Sequence, residues 1–570
     1  MPKGTVALSL DSTQIVVYLL TKIDNKHMPF NKPLTVFCIL LLTIFSCSAP
    51  KEDNKLGAIY FDVTGSEDAV KYFEEGLLLL HSFEFDDAAA AFINAQKVDS
   101  TMAMAYWGEA MTYNHPLWAE QSYEEATAAL NKLSESPEER VELSSTPIEK
   151  DFMRAVNILY GEGTKYERDV AYSEFMAEVH NKYPKSQEAA AFYALSLLGS
   201  VPVGRDEEIY ERGAIIAKGI LEENPNHPGA LHYLIHSYDD PQHASAAVEA
   251  ANRYMQVASA AGHALHMPSH IYVAMGMWDD VVRSNEQSYQ ASVDRMIEKK
   301  LDNDARGYHA FQWLLYGYLQ QGRMAEARQI VKDMAQYTSE LPSARARVHM
   351  SVIKGAYLVE SGDWVGEESN IAIDQSGLNI SIQAINRFLD GMKAYQQKNI
   401  ALLDEQINTL EKERLKVSIQ LENKGIALCS GVGWESQKAN QLDVDQAKVM
   451  EMELRGLASD LKNNQSEANA WFKQAAELEQ SISYSYGPPS VVKPSFELYG
   501  EWLLKNNRPE EALSQFEYSL QRAPKRILSL KGKLAAAKAL NNEVMQKETE
   551  SLLQEALKKA DGTTATSQVL

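Results

Sequence analysis

Small and apolar residues recur along this chain at long, fixed spacings. Gly76 is followed by Ala88, Phe92 and Ala95, Gly456 by Ala468, Phe472 and Ala475, and Gly500 by Ala512, Phe516 and Ser519. The offsets of 12, 16 and 19 residues are the same in all three stretches. The glycine and the first alanine suit a close crossing of two antiparallel helices. The aromatic residue and the second small residue, one and two turns on, pack against the pair that follows. One helix pair leaves its apolar stripe uncovered, so pairs must stack on one another. Looser copies carry a glycine where a first helix ends and positive φ is needed, at Gly276, Gly322 and Gly362, and Gly391 begins a further pair. The pattern predicts an all-α chain of eight or more helix pairs between about Ser66 and Ala560. It also predicts an elongated stack, with each pair buried against its neighbours alone.

These spacings resemble the tetratricopeptide repeat (TPR), a helix–turn–helix unit, and the resemblance implies an α-α superhelix, or solenoid. The phrases AYWGEAMTYNHPLW, HYLIHSYDDP and HALHMPSHIYVAMGMW further resemble those of a group of bacterial TPR proteins. That second resemblance implies a fold and no activity.

Polar or Pro/Gly-bearing breaks fall at 133–150, 200–206, 425–441 and 483–495. The expected organisation is a signal segment at 1–46, a tether at 47–65 and an N-terminal array at 66–340. Degenerate repeats follow at 341–450, C-terminal repeats at 451–560 and a disordered tail at 561–570.

The N-terminal segment is a matter of export. Leu34 to Ser46 is a nearly uncharged run, too short for a comfortable membrane span and suited to a signal-peptide core, and Cys47 follows it. Ile44-Phe45-Ser46-Cys47 resembles a bacterial lipobox, which implies lipidation of Cys47, with Met28 as the true start. The other reading is an uncleaved N-terminal anchor. Lys51-Glu52-Asp53 resembles the charged tract of some surface-exposed Bacteroidetes lipoproteins. The expected location is the cell envelope, at the outer membrane, in the periplasm or on the surface.

The formal charge is −23, and −25 without residues 1–46, which argues against nucleic-acid binding. Of the three cysteines only Cys429 lies in the repeat region. It reads as a small core residue, and one thiol there builds neither a disulfide framework nor a thiolate metal site.

Candidate chemistry concentrates in histidine. Seven of the 13 histidines fall between His227 and His270. His232 and His236 form one HxxxH pair and His266 and His270 another, with His263 a turn earlier. Residues four apart share a helix face, so four imidazoles can converge on a divalent metal with Asp239 or Asp240 as oxygen ligands. Two other readings stay open: histidines hydrogen-bonding across repeats inside the core, and a polar pocket for a small molecule or peptide. No HExxH spacing supports zinc-protease chemistry, and no nucleophile elbow, P-loop or dinucleotide motif is present. Trp107, His115 and Trp118, with His309, are candidates for a binding groove, although aromatics at helical spacing are more often core.

The reading that follows is a lipid-anchored TPR scaffold that binds a protein or peptide partner, with no catalytic motif and no cofactor. The alternative is a metal-binding protein or metalloenzyme built on the histidine-rich stretch. A purely structural envelope component is a third reading.

Overall fold

The computed structural model describes residues 55–202, 204–421, 439–483 and 487–561. The expectations for the signal segment, Cys47, Cys429 and the tail after Asp561 lie outside these residues. Among the described residues the regular structure is helical, apart from a two-residue antiparallel ladder that pairs Asn114 with Gln121 and His115 with Glu120. No helix among them is long and apolar enough to cross a membrane.

The repeated small–aromatic seam is the packing unit. A Cβ placed on Gly76 would lie 2.9 Å from the Phe92 ring, one on Gly456 2.7 Å from Phe472, and one on Gly500 2.8 Å from Phe516. Each ring therefore fills the space that its glycine leaves in the first helix of the pair. Ala88, Ala95, Ala468, Ala475 and Ala512 are fully buried in the same seams. A second glycine stands opposite two of these rings: Gly108 faces Phe92 and Gly532 faces Phe516 from the first helix of the next pair. Phe92 and Phe516 are thus clamped between consecutive first helices, and nothing larger than hydrogen fits on either side.

The turns inside the pairs share one geometry. The residue two places before the second helix adopts positive φ at Gly276, before the helix Trp278–Lys299, and at Gly322, before Met324–Glu340. Asparagine does the same at Asn463, Asn507 and Asn541, with φ of 59°, 57° and 54°. Glycine and asparagine tolerate this region best. Gly362 also has positive φ, but an irregular segment follows it before the next helix, Ile380–Gln396. Asp86-Asp87 and Asp279-Asp280 occupy the first turns of second helices, at the positive end of the helix dipole.

The stack does not stay extended, and this corrects the expectation that pairs are buried only against their neighbours. The first pair lies against residues two hundred positions downstream: Arg295 donates to Asp87 at 2.6 Å, and Glu84 accepts the His263 N–H at 2.8 Å. The last pairs fold back on the middle of the chain. The Trp278 indole N–H donates to the Lys525 carbonyl at 3.3 Å, and the Asp561 N–H donates to the Gly322 carbonyl at 3.2 Å. The turn glycines permit the approach, because a Cβ on Gly276 would stand 2.5 Å from the Pro524 carbonyl and one on Gly322 2.9 Å from Ala560. Buried Arg526 fastens the closure through paired bonds to Glu497 at 2.9 and 3.1 Å and one to Tyr316 at 3.0 Å. The core accordingly runs unbroken across the expected boundaries at 340/341 and 450/451. One apolar cluster reaches from Val282 to Phe516, and another joins Ala214–Tyr316 to Ile527, Leu530 and Leu553.

Candidate histidine centre

Three stretches of first-helix sequence bring the histidines together. The helix Pro228–Ser237 starts at His227, whose ring accepts the Ala230 N–H as N-cap, with Pro228 in the first turn where no N–H is required. It presents His232 and His236 one turn apart. Gly262–His266 and Pro268–Met275 run on as two short helices around Pro268, which lacks the N–H an unbroken helix would use. They carry His263, His266 and His270. The helix Tyr308–Gln320 adds His309.

The four histidines expected to meet at one point instead divide between two triads. His232, His236 and His263 each offer a ring nitrogen within 4.8 Å of the other two, and His266, His270 and His309 do the same. The closest contacts join Nε2 to Nε2, at 3.1 Å between His232 and His236 and 3.2 Å between His266 and His270. Two nitrogens bound to one tetrahedral zinc at about 2.0–2.1 Å stand about 3.4 Å apart, so this spacing suits a shared ion.

The far sides of the rings fix the tautomers. His232 Nδ1 lies 2.7 Å from the His81 carbonyl, an obligate acceptor, so Nδ1 carries the proton and the Nε2 lone pair faces the triad. His266 Nδ1 lies 2.7 Å from Asn285 Oδ1, and the Asn285 amide is oriented by its own bond to the Val281 carbonyl at 2.8 Å. His270 Nδ1 lies 2.5 Å from the Asp239 carboxylate. A carbonyl, an amide oxygen and a carboxylate on the distal nitrogen are the partners that orient metal-binding imidazoles. Asp239, expected as an oxygen ligand, stands behind His270, against its distal nitrogen. Asp240 is turned away to His243, at 2.8 Å, and to Arg205, at 3.0 Å.

Burial pushes the rings toward neutrality. His232, His236, His263 and His309 are held well below the ordinary imidazole range by desolvation, and neighbouring imidazoles add to the effect. His266 is lowered to about 3 by the same burial, with His270 adding to it. Neutral imidazole is the form that ligates metal. His263 Nε2 and His309 Nδ1 are buried without a hydrogen-bond partner, an expensive state that a bound cation relieves.

Of the groove candidates, Trp107 is corrected: it is fully buried, with Phe152 and Phe192 at 5.4 and 5.2 Å, and belongs to the core. His115 and Trp118 stand beside the centre instead. His115 stacks on Phe85 at 4.0 Å, and Trp118 meets Phe83 edge-on at 5.4 Å and His263 at 6.2 Å. Phe83 itself covers His232 at 4.3 Å. It holds φ at 55°, at the turn position that asparagine, glycine or, at Lys398, lysine occupies in other pairs, and a bulky residue there is strained. Phe83 and Phe85 also line a shallow apolar recess with Leu80, Pro116, Asp169 and Phe192, with free space of about 20 Å³. Trp313 closes the second triad, stacked on His270 at 4.4 Å and edge-on to His266 at 4.9 Å.

The pairing of helices and the glycine–phenylalanine clamps settle the fold class. The fold is TPR-like. No family model and no curated protein matches the chain. Among solved structures it is similar to the Cut9–Hcn1 hetero-tetramer of the APC/C, at 13% identity over 92% of this chain and 82% of that one, with a TM-score of 0.36. Yeast Tom70 is matched at 12% identity over 87% of this chain and 93% of its own, with a TM-score of 0.30. The TPR domain of P58(IPK) is matched at 12% over 88% and 95%, with a TM-score of 0.19.

Sequence reasoning missed Phe83, Asn285 and Trp313, and it missed a third polar cluster altogether. His81 and His227 flank Glu188, with Nε2 to carboxylate distances of 2.7 and 3.2 Å, and all three are fully buried. The Tyr233 hydroxyl donates to His81 Nδ1 at 2.8 Å. No spacing rule links residues 81, 188 and 227, so only the fold reveals the group.

Proposed function

We propose that the protein binds transition-metal ions on the histidines buried inside its TPR-like array. One observation carries the reading: in His232, His266 and His270 an oxygen acceptor holds the distal nitrogen, so the Nε2 lone pair of each faces the other rings of its triad. His232, His236, His263, His266, His270 and His309 would be the ligands, and His81, Asn285 and Asp239 would orient them. Three neutral nitrogens per ion leave a coordination position for an exogenous ligand, and a bound ion would supply Lewis-acid or redox chemistry there. The test is elemental analysis of protein purified without an affinity tag and equilibrated with Cu(II) or Zn(II). The expected result is bound metal that falls to background in His236→Ala/His270→Ala while helix content is unchanged. Wild-type protein that retains neither copper, in either oxidation state, nor zinc would end the reading.

A second reading keeps the array as an interaction scaffold, favoured by the aromatic recess beside Phe83 and Phe85. A partner peptide would rest a small apolar side chain against these rings. Enrichment of such peptides from a displayed library, and its loss in Phe85→Ala, is the expected outcome; a library with no enriched sequence would remove this reading. The location proposed for either activity is the bacterial envelope, with the chain tethered through lipid on Cys47. In cells, Cys47→Ala should move the protein from the membrane fraction to the soluble fraction.

A further inference from the structure

The two triads are built from the same positions of successive repeats. Measured from the turn glycine, His270 lies six residues before Gly276, and Tyr316 lies six before Gly322. In this register His263, His266 and His270 correspond to His309, Gln312 and Tyr316 in the next first helix. One repeat earlier, a shift of 34 residues, the period of the TPR unit, sets Gly229, His232 and His236 against them. The first triad takes its second and third positions, His232 and His236, from one helix and its first position, His263, from the next. The second triad takes His266 and His270 from that next helix and His309 from the one after. Both triads are therefore copies of one inter-repeat site, offset by one repeat.

The copy after these is closed. Gln312 and Tyr316 stand where imidazoles stood, and the first position of the following helix, six plus seven residues before Gly362, is His349. His349 Nδ1 lies 3.1 Å from Gln312 Oε1, and the Tyr316 hydroxyl accepts from Arg526 at 3.0 Å. A hydrogen-bonded amide and a phenol engaged by a guanidinium fill the place of a ligand pair.

We propose that each triad binds its own ion, so that the array carries a tandem pair of metals at two consecutive repeat interfaces. This rests on the metal reading above and adds the number and boundaries of the sites. The sites are close neighbours: the His236 and His270 rings are 5.9 Å apart, and those of His263 and His266 are 6.3 Å apart. Repulsion between the ions grows with the product of their charges; neither triad includes a carboxylate ligand, and Asp239, behind His270, offsets the repulsion only in part. Monovalent copper is therefore the ion that fills both sites with the least mutual penalty, and imidazole is among its ligands.

The experiment is an anaerobic titration of full-length, metal-free protein with Cu(I) against a chromogenic chelator, with helicity followed by circular dichroism. Wild type should take two equivalents. His263→Ala and His309→Ala should each take one, the double variant none, and Gln312→Ala two, all with wild-type helicity. A single equivalent in wild type that either histidine substitution abolishes would mean one site shared by all six histidines. That result overturns the tandem arrangement and leaves the metal reading standing. Loss of an equivalent in Gln312→Ala would overturn the register. Wild type that binds neither Cu(I) nor Zn(II) would overturn the metal reading itself. If His309→Ala loses helicity, His309→Gln, which keeps a polar side chain of similar length, replaces it with the same expectation of one equivalent.

Discussion

The cluster of His81, Glu188 and His227 and the triad of His266, His270 and His309 look alike by proximity. Each gathers three ligating groups within 4.8 Å in a nearly dry interior. Their hydrogens differ. In the first cluster His227 Nδ1 accepts the Ala230 N–H, so Nε2 carries the proton and donates to Glu188; His81 accepts from Tyr233 and donates to the same carboxylate. Every polar atom has a partner and no lone pair is left over for an ion. Burial alone would raise the Glu188 carboxyl, but the two imidazoles outweigh it and hold the group well below its usual range. In the second triad His266 and His270 give their distal protons outward, to Asn285 and Asp239, which leaves their Nε2 lone pairs facing one another, while His309 Nδ1 is buried without a partner. Nearness of histidines alone thus does not separate a closed cluster from an open one; the partners of the ring nitrogens do.

Acid should break the comparison most forcefully. His232, His236, His263, His266 and His309 have folded-state pKa values depressed below the unfolded value near 6.5. The unfolded chain then binds more protons than the native one, so stability is full above about pH 6.5 and is lost as pH falls toward the folded values, about 3 for His266. Each such group contributes a slope of up to about 1.4 kcal/mol per pH unit, and five act together. Urea midpoints of metal-free protein should fall steeply between pH 6.5 and 5, and saturating metal should shift the fall to lower pH. A flat profile in the metal-free protein would show that these rings are not buried neutral.

Removing Glu188 separates the two clusters. In Glu188→Ala two buried imidazole N–H groups lose their acceptor, at about 1–3 kcal/mol each, so the unfolding free energy of metal-free protein, read from urea titration, should drop by about 2–6 kcal/mol. Bound metal per folded chain should stay at the wild-type value. The reverse pattern, intact stability with lost metal, would exchange the roles assigned to the clusters. Asn285→Ala acts from the other side. It removes the group orienting His266 and should weaken metal at the second triad by about 10–100-fold, with the first triad unaffected. An equal loss at both triads, measured by competition with a chelator, would show that they do not act as separate sites.

What the sequence disclosed divides along the same line. The helix pairs were legible because Gly76 and Phe92, Gly456 and Phe472, and Gly500 and Phe516 answer to a local period, and so were the turns at Gly276, Gly322 and Gly362. The HxxxH pairs were legible for the same reason, since residues four apart share a face whatever the tertiary structure. The division into two triads was not, because His263 and His309 join neighbouring helices through inter-repeat packing, and a list of spacings does not say which helix faces which. The folding back of the last pairs depends on Gly276 and Gly322 admitting Pro524 and Ala560 from more than two hundred residues away. A glycine required by a turn and one required by a distant contact read identically in sequence.

The smallest expected effect concerns Phe83. In Phe83→Asn the residue matches Asn463, Asn507 and Asn541 at equivalent turns, and it relieves a left-handed conformation that costs a bulky side chain about 1–2 kcal/mol. The substitution also forfeits burial of the ring, about 1.5–3 kcal/mol. The two nearly offset, so the unfolding free energy should move by no more than about 1 kcal/mol. What should change is access, because the ring lies 4.3 Å from His232 and 5.6 Å from His263 and keeps water from the first triad. Chelator-driven release of metal should quicken at that triad while the second, shielded by Trp313 on His270, keeps its wild-type rate. If stability falls by the full burial value and release is unchanged, Phe83 is packing alone, and its strained turn has no bearing on the difference between the open and closed clusters.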